Sequence, residues 1–201
     1  MREGHNSTIE SRNDCKPEDR AFALLKLGIA LAQTGQRERA ETMWTEAEIA
    51  ADKIVLTNTK TRTLAGFCTL YAQAQEWSRA KIIADSIEQP QEKAHALLAI
   101  SAALVRAQQW GQAEVILAEV EIWVHCLKNN QDKVILLYRI LDVLEMAGKP
   151  ENMLRLVQHA LQRATTRIYA IQLLSLVTRL LPLRPELSIA SSEAFAWVDT
   201  F

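Results

Sequence analysis

Apolar residues recur every three or four positions from Pro17 onward, the spacing that gathers them on one face of a helix. Ala21, Leu24, Leu25, Gly28, Leu31 and Ala32 make one such stripe, and Leu97, Ile100, Leu104 and Val105 make another. No sustained apolar–polar alternation and no Asn-Gly or Asp-Gly pair occurs, so strands are not expected. The pattern predicts first helices over about 18–34, 60–75, 90–108, 131–147 and 166–181. It predicts second helices over about 37–54, 78–88, 111–128, 150–164 and 186–199. Pro17, Pro90 and Pro150 fall where a first helical turn tolerates proline, because the missing N–H would have no partner there anyway. Gly35 and Gly148 follow long apolar stripes, where a helix end can take a left-handed residue.

The second stripe is the first one again. Residues 17–25 read PEDRAFALL and residues 90–98 read PQEKAHALL, an offset of 73 positions. The same offset carries Ala30-Leu31 onto Ala103-Leu104, Ala40-Glu41 onto Ala113-Glu114 and Glu48-Ile49 onto Glu121-Ile122. Self-similarity at a fixed period marks a repeat architecture. A finer step lies inside it. Second helices open near Ala40, Ala80, Ala113, Met153 and Leu187, in steps of 40, 33, 40 and 34. Long and short helical pairs therefore alternate, and a block of two pairs is the unit that is copied. Residues 1–16 carry no period and are read as a flexible N-terminal tail, with the repeat array over 17–201.

These residues resemble the tetratricopeptide pattern of helical hairpins. In the first hairpin Leu24, Leu27-Gly28, Leu31, Ala40, Trp44 and Ala47 fall at matching positions; in the second Leu64, Phe67-Cys68, Tyr71 and Ala80 do so. Leu97, Ile100-Ser101, Leu104 and Ala113 follow in the third, Leu137, Ile140, Leu144 and Ala160 in the fourth, and Leu174-Ser175 in the fifth. Gly28, Cys68, Ser101 and Ser175 supply the small residue at the contact between paired helices, and Leu141 departs from it. The period is not a uniform 34, and most copies lack the pattern's first Trp. In texture the array is similar to divergent tetratricopeptide-like regions found beside bacterial STAND-type signalling ATPases, although no G-x4-G-K-[ST] phosphate loop occurs in this chain.

The resemblance implies an all-α fold, a right-handed α-solenoid of about five antiparallel hairpins. It also implies that the first helices line a concave groove. Carried over by position, groove residues are Phe22 in the first hairpin, Arg62 and Gln73 in the second, and His95 and Arg106 in the third. Tyr138, Asp142 and Glu145 follow in the fourth, and Tyr169 and Arg179 in the fifth. The family's carboxylate-clamping positions hold Leu25 and Ile29, which disfavours binding of a C-terminal carboxylate.

Composition narrows the partner class. The chain carries 23 basic and 24 acidic residues, and no basic run or stripe of the kind nucleic-acid binders show. No apolar run reaches the ~18 residues of a membrane span. Cys15, Cys68 and Cys126 are an odd set with no pairing pattern, which fits a reduced, cytoplasmic protein.

Candidate chemistry is sparse. His125-Cys126 is the most tempting pair for a nucleophile and base, but neighbours on a helix point about 100° apart. His5, His95, His125 and His159 show no paired metal-ligand spacing, so no metal and no cofactor is expected. Glu18 and Asp19, with Glu10 and Asp14, suit the N-terminal dipole of the first helix. Phe195, Trp197 and Phe201 make an apolar end; ordinary packing and a surface for self-association both remain open. The expected function is a non-catalytic scaffold that binds a protein or peptide through its groove, as the sensor or adaptor part of a signalling system. A small-ligand sensor is the alternative, and an enzyme the third reading.

Overall fold

The computed structural model describes residues 16–164 and 166–177. Among them the chain forms nine helices and no strand. They are α1 (Pro17–Gln33), α2 (Arg37–Asp52), α3 (Thr57–Gln73), α4 (Trp77–Asp85), α5 (Pro90–Arg106), α6 (Trp110–Cys126), α7 (Asn130–Met146), α8 (Pro150–Gln162) and α9 (Arg167–Val177). The predicted helix over 186–199, Arg179 and the apolar end Phe195, Trp197 and Phe201 lie outside the described residues, as does the 1–15 segment.

The helices form two compact units, divided between Ile87 and Glu88, just ahead of the residue where the 73-position copy begins. Unit 1 holds α1–α4 and unit 2 holds α5–α9. The helix bounds obey the offset: α5 starts and ends 73 residues after α1, and α7 does the same after α3.

The turns obey it too. Among the described residues four have positive φ, Gly35 at 82°, Gln75 at 63°, Gln108 at 60° and Gly148 at 64°. Gln108 is the copy of Gly35, and Gly148 the copy of Gln75. Each is followed by a backbone N–H that reaches back to the last turn of the preceding helix. Gln36 donates to Leu31 O at 2.9 Å, Glu76 to Tyr71 O at 2.9 Å, Gln109 to Leu104 O at 2.9 Å and Lys149 to Leu144 O at 3.0 Å. This closes the end of the first helix in each pair with a left-handed residue. Glutamine is strained there because its Cβ crowds the backbone, and glycine is not. Gln108→Gly is therefore expected to raise stability by roughly 0.5–1 kcal/mol in urea unfolding.

Each second helix packs on its own first helix: α2 on α1, α4 on α3, α6 on α5 and α8 on α7. First helices also lie against one another, α1 against α3 in unit 1, α5 against α7 and α7 against α9 in unit 2. The core of unit 1 is aromatic. Trp44, Phe67 and Tyr71 are fully buried, and their rings meet edge to face with centroids 5.7 Å (Trp44–Tyr71) and 6.4 Å (Phe67–Tyr71) apart, a favoured geometry. Unit 2 carries aliphatic residues at the copied positions, Leu117, Ile140 and Leu144.

Of the small-residue positions Gly28, Cys68 and Ser101 are buried, and Ser175 is half-buried. A Cβ on Gly28 would stand 2.5 Å from Trp44 Cδ1 and Nε1 and 3.2 Å from Ala40 O. Gly28 thus makes the room that Trp44 occupies. Its copy Ser101 is also fully buried and turns its hydroxyl to Leu98 O at 2.9 Å, and the copy of Trp44 is the smaller Leu117. Cys68 is fully buried, and burial pushes its thiol up to about 12, so it carries no thiolate at neutral pH. Leu141, the departure from the small-residue pattern, is buried as well.

Candidate partner-binding face

The open surface of the first helices is best defined in unit 2. The helix period places Ile135, Arg139, Asp142, Glu145 and Met146 on one exposed stripe of α7. Ile135 is 47% exposed and Met146 53%. On α5 the equivalent stripe is His95, Ala99, Ala102 and Arg106, with only Arg106 exposed. On α9 it is Ile168, Ile171 and Gln172.

Two polar contacts tie these helices together. Arg139 Nη1 on α7 donates to His95 Nδ1 on α5 at 2.8 Å. Arginine can only donate, so His95 keeps its proton on Nε2. Tyr138 OH on α7 bonds Ser175 Oγ on α9 at 2.6 Å, and the Ser175 hydroxyl reaches the carbonyl of Gln172. The face is therefore ordered from beneath while its outer residues stay open.

The His95–Arg139 pair has a counterpart in unit 1. Its copied positions are Phe22 and Gly66. There the Phe22 ring lies over Gly66, where an added Cβ would come within 2.7 Å, and meets Phe67 edge to face at 5.5 Å. One contact between neighbouring first helices is aromatic-on-glycine in unit 1 and a polar hydrogen bond in unit 2. This leaves Phe22 half-buried in helix packing.

The remaining expected groove residues divide. Arg62 and Gln73 in unit 1, and Arg106, Asp142 and Glu145 in unit 2, are exposed. His95 and Tyr138 are half-buried by the contacts above. Tyr169 is only 5% exposed, with the Lys133 ammonium 5.9 Å from its ring, and offers no anchor to a partner.

Burial, and then Arg139, hold the His95 imidazole below its ordinary range, opposed by Glu92 and Asp132. His125 is lowered for the same first reason, with Arg163, His159 and Lys133 adding to it. Both groups are thus neutral in the fold and take protons more readily once unfolded. Their contribution to stability is complete above the unfolded imidazole value near 6.5 and is lost as the pH falls below it. The melting temperature is expected to drop between about pH 7.5 and pH 5.5. His95→Gln, which keeps an acceptor for Arg139 without titrating, should flatten that slope.

Sequence spacing did not reveal one meeting of histidines. His125 on α6 and His159 on α8 stand edge to face with centroids 5.4 Å apart. They are 34 residues apart, one hairpin on, and only the packing of α6 and α8 on α7 brings them together. Cys126, beside His125, is exposed. Among the described residues no three His, Cys, Asp or Glu side chains converge to hold a metal ion, and no helix is long and apolar enough to cross a membrane. Searches against protein-family models, curated proteins and solved structures found no match to this chain.

Proposed function

We propose that the chain is a tetratricopeptide-like helical scaffold that binds a protein or peptide partner on its first-helix layer. The paired helices are read as antiparallel hairpins of a right-handed solenoid, continuing to about five. Support comes from the side-by-side packing of first helices within each unit, from the repeated left-handed turns and from contacts that recur at the 73-residue offset. By resemblance, such an array serves as the sensor or adaptor of a bacterial signalling system.

The observation that carries the binding reading is the α7 stripe of unit 2. Exposed Ile135 and Met146 flank Arg139, Asp142 and Glu145 on a helix held from both sides by α5 and α9. Apolar side chains beside fixed charges suit an amphipathic segment, whose apolar residues would cover Ile135 and Met146. Photo-crosslinking in extracts of the native host tests this. A crosslinker at position 135 or 146 is expected to trap the same discrete protein. One at Val115, which is 70% exposed on α6, is expected not to. Identical products from all three positions would refute the assignment.

A further inference from the structure

One pair of copied positions separates the two units sharply. In unit 2 the Trp123 ring of α6 is half-buried, with the Lys93 ammonium of α5 4.8 Å over it. The 73-residue offset carries Trp123 back to Ala50 of α2, and Lys93 back to Arg20 of α1. The cation is kept, and the indole is reduced to a methyl group.

In unit 1 this place is an open groove. It has a volume of about 300 Å³ and runs between the first turn of α1 and the last turns of α2, lined by Pro17, Arg20, Glu46, Ile49, Ala50 and Lys53. That volume is at the lower end of ligand-holding pockets and far above the ~30 Å³ share of one water. Three of the six lining residues recur unchanged in unit 2, as Pro90, Glu119 and Ile122, and Arg20 recurs as a cation. Ala50 is buried and Ile49 is 52% exposed, so an apolar wall leads from the interior to solvent. The frame around the indole is thus present in both blocks, and only unit 2 supplies the ring.

We propose that this groove takes a tryptophan side chain from a protein segment, its ring seated on Ala50 and Ile49 beneath Arg20 as Trp123 sits beneath Lys93. The Arg20 guanidinium is planar and stacks face to face on an aromatic ring, which an ammonium cannot do. Tryptophan is among the side chains that carry most of the energy when seated in a partner's pocket. Arg20 and Lys53 outnumber Glu46 along the groove, so acidic residues beside the tryptophan are favoured over basic ones. The site is separate from the α7 stripe and does not depend on the binding reading given above.

Titrating the full chain with the blocked tripeptide Glu-Trp-Glu, and in parallel with blocked Glu-Leu-Glu and with free indole, tests it by NMR at the amides of Arg20, Ile49 and Ala50. Saturable shifts are expected from the tryptophan peptide, with a Kd of roughly 0.1–1 mM for one ring in an open groove. The leucine peptide and free indole should each bind about tenfold more weakly. Arg20→Gln removes the stacking cation and should weaken the tryptophan peptide about three- to fivefold. Ala50→Trp rebuilds the arrangement of unit 2, and should abolish the response in a chain that keeps its helical circular dichroism. Shifts that do not saturate, equal binding of the leucine peptide, unchanged affinity in Arg20→Gln or a full response in folded Ala50→Trp would overturn the proposal. Indole binding as tightly as the tryptophan peptide would make this a small-molecule site and overturn the assignment to a protein segment.

Discussion

Gly28→Ala is expected to destabilise the chain by about 3 kcal/mol, although alanine is the better helix former by about 1 kcal/mol. The added methyl meets Trp44 Cδ1 and Nε1 at 2.5 Å and Ala40 O at 3.2 Å. Trp44 cannot yield easily. It is fully buried, has Tyr71 against its edge and lies beneath the guanidiniums of Arg37 and Arg79, each 5.1 Å from its ring. Its Nε1 is buried without a hydrogen-bond partner, a deficit that the cations over its ring offset. The remedy is already present in unit 2, which carries a serine and a leucine at the same two positions, Ser101 and Leu117. Gly28→Ser should therefore be severe in the wild-type chain and mild on a Trp44→Leu background. Urea unfolding of the four-member cycle should give a coupling of about 1–3 kcal/mol. Additive effects would show that Gly28 and Trp44 do not share one space.

Arg79→Ala is expected to cost about 2 kcal/mol, well above an ordinary surface ion pair. The side chain is 26% exposed and joins α4 to α2 through Glu41 and Glu48. Removing it uncovers one face of Trp44 and leaves two carboxylates facing each other across the lost charge. The Tyr71 hydroxyl stays on Glu48 but no longer shares it with a cation. Lys81→Ala makes the contrast. Lys81 pairs with Asp85 one turn away on the same helix, at 2.6 Å, and its loss should cost no more than ~0.5 kcal/mol. Part of the Arg79 effect should fade in ~1 M salt, where partly exposed charges are screened. The packing over Trp44 should remain.

The helical class and several helix bounds were legible because the apolar period and the turn glycines are local signals. The predicted helices over 18–34, 37–54, 90–108 and 111–128 differ from α1, α2, α5 and α6 by at most two residues at either end. The start of α3 was less legible. Thr57, Asn58 and Thr59 are poor helix formers, yet the helix includes them, with the Thr61 and Thr63 hydroxyls returned to the backbone at 2.9 Å. Two of the four left-handed turns carry glutamine, so no glycine announced them, and only the copied register shows their equivalence.

Side-chain pairings were less visible, because copied positions meet through different chemistry. Arg37 and Glu76 form an ion pair; their copies Trp110 and Lys149 stack at 5.1 Å. Phe22 on Gly66 becomes His95 with Arg139. Identity is lost at such positions while contact is kept, so a reader of the sequence sees Phe22 and His95 as groove residues and misses what each is packed against.

The account rests on a four-helix block present twice in one register. A side-chain NOESY of the labelled chain tests that most directly. Contacts between Gly28 and Trp44 and between Phe22 and Gly66 are expected to recur, 73 residues later, between Ser101 and Leu117 and between His95 and Arg139. Contacts of the first pair set without those of the second, or a second set displaced by one or more residues, would contradict the duplication.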